Sequence, residues 1–259
     1  MADLIISERL GGVYRLTLNR PDRHNAINDD MADAYEAALH EAVQDDGVRV
    51  ILLCGAGRSF CSGRDVSVLG HRARDESDFN FVRRHQDGRL FVLDAPKPVV
   101  AALKGGVIGG GCEMALAADI RVASADLKMA LPEIKYGLLP DTGGTQMLTA
   151  LIGASRAKYM IMSGESIDAR TALDWGAVDF VVAPEELDAR ALAIAQSLAE
   201  KPPIALAMAK QLVDQLDGPA IRDGMRQELL AQTALFKTED YAEARAAHRE
   251  KRAPRYKGK

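Results

Sequence analysis

Long apolar runs are missing from this 259-residue chain. No stretch approaches the roughly 20 apolar residues of a membrane-crossing helix, which excludes a membrane partner. The N-terminal MADLIISERLGG has too short an apolar part and too much acid for a secretory signal. Cysteine is scarce as well: Cys54, Cys61 and Cys112 form no CxxC pair and leave an odd count. That argues against a disulfide framework or a zinc site and for a reducing compartment, with the cytoplasm as the expected location. Each cysteine reads as a small buried residue rather than a nucleophile. Excess positive charge is also lacking. At a formal net charge of −4 and a pI near 5.8 the chain is not a general nucleic-acid binder. Only the tail Arg249–Lys259 is basic, with six cations and one acid, Glu250; it reads as a solvated tail or as a patch for a phosphate-bearing ligand. GxGxxG in register, GxxxxGK[ST], GxSxG and HExxH are all absent, and the five histidines are scattered. A dinucleotide fold, a P-loop, a serine-hydrolase elbow and a resident metal are therefore not expected.

What is present fits a soluble globular chain at the upper edge of one domain, with 47% hydrophobic residues for a large core. VYRLTLNR (13–20) alternates as a half-buried strand and Pro21 stops it. PDRHNAIN then reads as a loop. Asp29–Gln44 carries Met31, Ala34, Tyr35, Ala38, Leu39 and Ala42 at helical spacing, and Gly47 follows as a stop. VRVILLCG (48–55) is a continuous apolar run, the mark of a strand covered on both faces. The charged segment 71–92 keeps Phe79, Val82 and Leu90 and reads as a surface helix. IRVAS (120–124) and VDFVV are further strands; TQMLTALIG, SRAKYMIMSG and DARTALDWG are helices punctuated by glycine. Amphipathic helices over 185–200, 203–216 and 218–236 complete the chain. Strands alternating with helices, then helices alone, predict an α/β core over 1–200 and a helical C-terminal region over 201–259.

The chemistry concentrates in 97–145. A buried strand at 98–104 runs into Gly105, Gly106, Gly109, Gly110 and Gly111, and a helix follows at about 111–118 with Glu113 in its first turn. Glycines there let a backbone N–H approach a ligand, and the helix N-terminus favours an anion or an oxygen that becomes one during reaction. Twenty residues on lies a second carboxylate, Glu133, beside Pro132 and ahead of another glycine-rich turn. Two carboxylates near one electropositive backbone pocket make an acid–base site.

GGGCEMALAADIRVAS and PEIKYGLLPDTGGTQ resemble the crotonase superfamily, the enoyl-CoA hydratase/isomerase family. LNRPDRHNAIN, SFCSGRDV, KPVVAALKG, SGESIDARTALDWGAVDFVV and LFKTEDYAEARAAHREKRAPRYKGK have counterparts there in the same order, over nearly the whole chain. The resemblance implies a ββα spiral with a helical trimerisation region, an acyl-CoA thioester as substrate, a homotrimer or dimer of trimers, and no cofactor beyond the CoA moiety itself. It implies that the backbone N–H groups of Arg64 and Gly110 hold the thioester oxygen. It also implies that Glu113 and Glu133 are the two catalytic acids, one taking a proton from water and the other supplying one to the α-carbon. Asp22, Arg23 and His24, together with Ser62, Arg64, Asp65 and Val66, match positions that contact the CoA nucleotide. Lys251 matches a tail residue that reaches a neighbour's nucleotide.

Three positions depart from a plain hydratase. Asp141 stands where a small residue is usual, and some isomerases of the family use an aspartate there to shuttle a proton; it also fits as a cap for the helix starting near Gly143. Arg64 is large where a small residue is usual, so its side chain is expected at a phosphate or at the entrance. His248 replaces an aromatic hydrocarbon near the acyl rim. The expected activity is hydration of an enoyl-CoA. The alternatives are double-bond isomerisation through Glu133 or Asp141, and a non-catalytic CoA- or RNA-binding member using the basic tail; paired acids argue against the last.

Overall fold

The alternating VYRLTL and the continuous VILLCG become neighbours in one sheet of the computed structural model, which describes residues 3–68, 70 and 74–259, the side chains of Asp217 and Pro219 excepted. The first half of the chain contains β1 (Ile5–Leu10), β2 (Val13–Leu18), α1 (Asp29–Gln44), β3 (Val50–Gly55), α2 (Asp78–Asp94) and β4 (Val99–Leu103). Next come β5 (Gly106–Ile108), α3 (Gly110–Leu116), β6 (Ile120–Ser124), β7 (Lys128–Ala130), α4 (Gly144–Ile152) and α5 (Ala154–Ser163). The chain closes with β8 (Ile167–Asp168), α6 (Ala169–Trp175), β9 (Phe180–Val182), α7 (Leu187–Ala199), α8 (Pro203–Leu235) and α9 (Glu239–Glu250).

Six strands pair in the order β1-β2-β3-β4-β6-β9, parallel except for the β1–β2 hairpin. The register sets Val13 against Val50 and Ile51 against Val99. Because side chains alternate across a strand, β3 splits its run between two cores. Val50 and Leu52 join Val100, Ala102 and Val122 beneath Leu187, Ala191 and Ala195 of α7. Ile51 and Leu53 face the larger core, where Met31, Tyr35 and Leu39 of α1 meet Met114 and Ala115 of α3 and Leu148 of α4. The both-faces-covered reading of this strand holds. The Asn28 side chain accepts from Met31 N at 3.1 Å and caps α1.

A second sheet, β5-β7-β8, stands beside the first, and neither it nor β1 belongs to the expected elements. Its strands are two or three residues long, too short to show alternation. The C-terminal helices also differ: expected over 203–216 and 218–236, they form one helix, α8. A glycine–proline pair removes one helical hydrogen bond, but it does not compel an end where the helical pattern resumes on both sides. The part of the charged segment at 71–73 lies outside the described residues; 74–75 form a bend, 76–77 are irregular and 78–92 enter α2.

The two halves of α8 have opposite surroundings. Near its start Ile204, Met208, Leu212, Val213 and Leu216 are 57–82% exposed. Further on, Met225, Glu228, Leu229 and Gln232 are buried where α8 packs on α2 and α4. Among the described residues no helix is long and apolar enough to cross a membrane.

Candidate active site

β5 ends at Ile108, and the chain turns through Gly109 (φ 55°) into α3. A Cβ on Gly109 would sit 2.9 Å from Glu133 Oε1, so the left-handed turn and the carboxylate behind it both require glycine. Gly63 lies across from this turn: its own Cβ would meet Ile108 O at 2.7 Å and Gly110 N at 3.3 Å. Next to it, Arg64 bridges Ile27 in parallel, and the pairing runs through Gly63 O (2.8 Å from Ile27 N) and Asp65 N (2.9 Å from Ile27 O). Such a bridge leaves the Arg64 N–H on the opposite side. Gly110 opens α3, where the first N–H groups have no intrahelical acceptor. Among the described residues neither N–H meets an acceptor. The two residues expected to hold an oxyanion are thus neighbours on one cavity with unengaged N–H groups.

That cavity measures about 240 Å³ and is lined by Arg64, Gly110, Glu113, Glu133 and Asp141 together. Glu113 is buried, and its Oε1 accepts from Thr142 N at 2.9 Å and Gly144 N at 3.0 Å. Glu133 sits in a short 3-10 turn after β7, and its Oε2 is buried without a hydrogen-bond partner. Burial first, then the charge of Glu113, then those of Asp141 and Glu228 push its carboxyl well above the ordinary value. The two glutamates thus differ: one accepts fixed backbone donors, and the other is poised to keep a proton. Asp141 Oδ2 accepts from Gln232 Nε2 at 3.0 Å.

Residues not expected from the sequence complete the frame. Glu228 of α8 accepts at Oε2 from Gly143 N (2.7 Å) and at Oε1 from Thr145 N (3.0 Å) and Thr145 Oγ1 (2.5 Å). Burial, followed by the charge of Glu113, pushes its carboxyl up to about 8. Gln232 Oε1 accepts from Leu139 N at 3.2 Å, and Gln86 Nε2 donates to both Asp141 O (2.7 Å) and Met225 O (2.6 Å). One signal for these lay in the sequence: Glu228 and Gln232 share the face of α8 that carries Met225 and Leu229, at spacings of three and four, so polar groups sit on an apolar stripe.

The positions expected at the CoA nucleotide fall into two stitched loops. Asp22 and Arg23 are exposed on a 3-10 turn, and His24 follows with φ 49° and its Nδ1 3.0 Å from Ser59 Oγ. Ser62 N donates to His24 O at 3.0 Å, which ties the second loop to the first. Val66 is exposed there. Asp65 is instead engaged within the chain. Burial pushes its carboxyl up, but Ser67 (Oγ 2.7 Å, N 3.1 Å) and then Arg20 (3.1 Å) outweigh this and hold it below the usual range. The Arg64 side chain, expected at a phosphate or at the entrance, pairs with Asp29 at 2.8 Å and lies 5.1 Å over the Phe81 ring. His248 packs edge-on to Tyr136, 6.0 Å between centroids, and Tyr136 lines the cavity. Lys251 is exposed where α9 ends and forms no ion pair with either loop among the described residues. The basic tail is partly neutralised: Arg252 pairs with Glu243 (2.5 Å) and Glu250 (2.6 Å), and Lys257 with Glu239 (3.7 Å).

Strands and helices in alternation thus bring unengaged N–H groups and paired carboxylates to one cavity. The comparisons with known proteins identify the family. The enoyl-CoA hydratase/isomerase family matches residues 8–259. The chain is 36% identical over 259 residues to a 2,3-dehydroadipyl-CoA hydratase of Escherichia coli (strain K12), covering 100% of both. It is 33% identical over 262 residues to a 1,2-epoxyphenylacetyl-CoA isomerase of the same organism, again covering 100% of both. A solved enoyl-CoA hydratase/isomerase from Pseudoalteromonas atlantica T6c superposes with a TM-score of 0.90 at 28% identity, over 98% of this chain and 100% of that one. The chain belongs to the enoyl-CoA hydratase/isomerase family and has the crotonase fold.

Proposed function

We propose that this chain is an enoyl-CoA hydratase, adding water across the 2,3 double bond of an enoyl-CoA thioester. The observation that carries the reading is the meeting of Glu113, Glu133 and the unengaged Arg64 and Gly110 N–H groups on one cavity. The thioester oxygen sits between the two N–H groups. Glu113 takes a proton from water as its oxygen bonds to the β-carbon; the double-bond electrons move onto the thioester oxygen as an enolate. The enolate collapses as its α-carbon takes a proton from Glu133, whose carboxyl burial pushes well above the ordinary value. Each fixed donor lowers the barrier by about 3–4 kcal/mol. No cofactor enters beyond the CoA moiety, whose nucleotide rests on the loops of Asp22–His24 and Ser62–Val66.

A second reading, double-bond isomerisation, is favoured by Asp141, a third carboxylate on the same cavity, and by the isomerase among the relatives. One experiment separates the two: crotonyl-CoA incubated with the protein in isotopically labelled water, followed by mass spectrometry. Hydration adds one whole labelled water. Deuterium exchange without added oxygen moves the proposal to proton shuttling through Glu133 or Asp141.

The assembly we propose is a homotrimer or dimer of trimers. The row Ile204, Met208, Leu212 and Leu216 on α8 supports it, because contiguous exposed apolar surface on one helix face is what a second copy covers. The three free, buried cysteines agree with a cytoplasmic setting.

A further inference from the structure

Three further polar residues line the same cavity, Tyr35 of α1 and His85 and Arg89 of α2, and the mechanism above uses none of them. Arg89 is only 9% exposed. Among the described residues it forms no ion pair, its Nε has no partner, and its one hydrogen bond is a long one, 3.5 Å from Nη2 to Gly110 O. The other arginines nearby are matched: Arg84 meets Glu76 at 2.8 Å and Arg64 meets Asp29 at 2.8 Å. Around Arg89 the pattern repeats. Tyr35 Oη and His85 Nε2 are buried and partnerless. Burial raises the phenol to about 12, and burial with the charges of Arg84 and Arg64 lowers the imidazole to about 3, so both are neutral near pH 7. Glu36 also lines the cavity, but burial pushes its carboxyl up, and the positive charges acting on it are those of Arg84, Arg74 and His40.

A buried guanidinium without an anion is costly, and each unsatisfied polar atom beside it costs about 1–3 kcal/mol. Water can supply hydrogen bonds there but cannot balance the charge. A methyl-terminated acyl chain would remove the water and satisfy nothing. Three polar groups on one cavity wall, one of them a cation without an ion pair, match an anionic oxygen pair. Resting on the thioester reading above, we infer that the acyl group carries a carboxylate at its far end, bound by Arg89 with Tyr35 and His85. Arg89 is then a specificity-determining residue, and the substrate class is the monothioester of a dicarboxylic acid.

Saturated thioesters test this without turnover. Calorimetric titration compares butyryl-, hexanoyl- and octanoyl-CoA with succinyl-, adipyl- and suberyl-CoA on the wild-type protein. The expected result is tighter binding of the carboxylate form by about tenfold or more at one chain length. Arg89→Met should bring that ratio to within about twofold of one while leaving the alkyl affinities in place; Arg89→Lys should keep part of the preference. Equal or weaker binding of every carboxylate form to the wild type overturns the inference and leaves the thioester reading standing. So does an undiminished preference in Arg89→Met, or an equal loss for both series. Failure of every thioester to bind overturns both.

Discussion

Two strips of backbone border the same cavity and treat their N–H groups in opposite ways. Thr142, Gly143, Gly144 and Thr145 give theirs alternately to Glu113 and Glu228, at 2.7–3.0 Å. Arg64 and Gly110 give theirs to no acceptor among the described residues. Both residues are half-buried, so these N–H groups remain open to an acceptor from outside the chain. The first strip is frame: it fixes Glu113 and opens α4. The second is where the proposed reading puts the thioester oxygen. The acids divide the same way, Glu113 and Glu228 holding donors and Glu133 keeping an oxygen unpartnered.

The largest test of this division concerns the acids. Glu113→Gln and Glu133→Gln should each lower kcat for hydration by about a thousandfold or more, while saturated thioesters still bind in a calorimeter. Wild-type-like turnover in Glu133→Gln would remove it from the mechanism. Next comes the open strip. Gly110→Pro deletes one N–H at a first-turn position where proline is accepted, and should reduce kcat about a hundredfold or more. Gly110→Ala keeps the N–H and adds a Cβ into open space, so a loss as large as proline's would show that the donor is not what matters.

The frame strip should respond more in stability than in rate. Glu228→Ala leaves two backbone N–H groups and a hydroxyl without their acceptor, a destabilisation of about 2–3 kcal/mol read from denaturant unfolding. Glu228 also predicts a pH dependence. Its carboxyl is raised from 4.5 to about 8 in the fold, so folding takes up a proton between those values. Its contribution to stability is fully present below about pH 4.5 and is lost as pH rises through 8. Melting temperatures of Glu228→Gln should lack that part of the decline between about pH 4.5 and 8; identical slopes would contradict it. The smallest effect is expected at Asp141. If its carboxylate serves to receive Gln232, Asp141→Asn should change the hydration rate by less than about threefold, whereas a collapse would make Asp141 a reacting group.

Much of this was readable in the chain because its signals are local. The three-and-four spacing from Met31 to Ala42 places α1 at about Asp29 to Gln44, where it stands. The unbroken VILLCG gives a strand covered on both faces. Glu113 and Glu133 stand inside motifs whose glycines shape the turns around them. What stayed hidden depends on distance along the chain. Glu228 finds its donor partners 83 and 85 residues away, and Gln86 reaches across 139 residues to Met225 O; no window of sequence spans either. The strands of the second sheet are too short for any period, and Arg89 looks like one more charge in a charged segment until α2 buries it.

The most direct test of the central claim, an enolate held by Arg64 and Gly110 with Glu133 at the α-carbon, needs no hydration at all. Butyryl-CoA incubated in deuterated water is followed by NMR for exchange of its α-protons. The account predicts exchange with the wild type, carried by the fraction of the protein in which Glu133 is ionised and therefore rising with pH, retention with Glu113→Gln and loss with Glu133→Gln. Undiminished exchange in Glu133→Gln, or an equal loss in both variants, would contradict it.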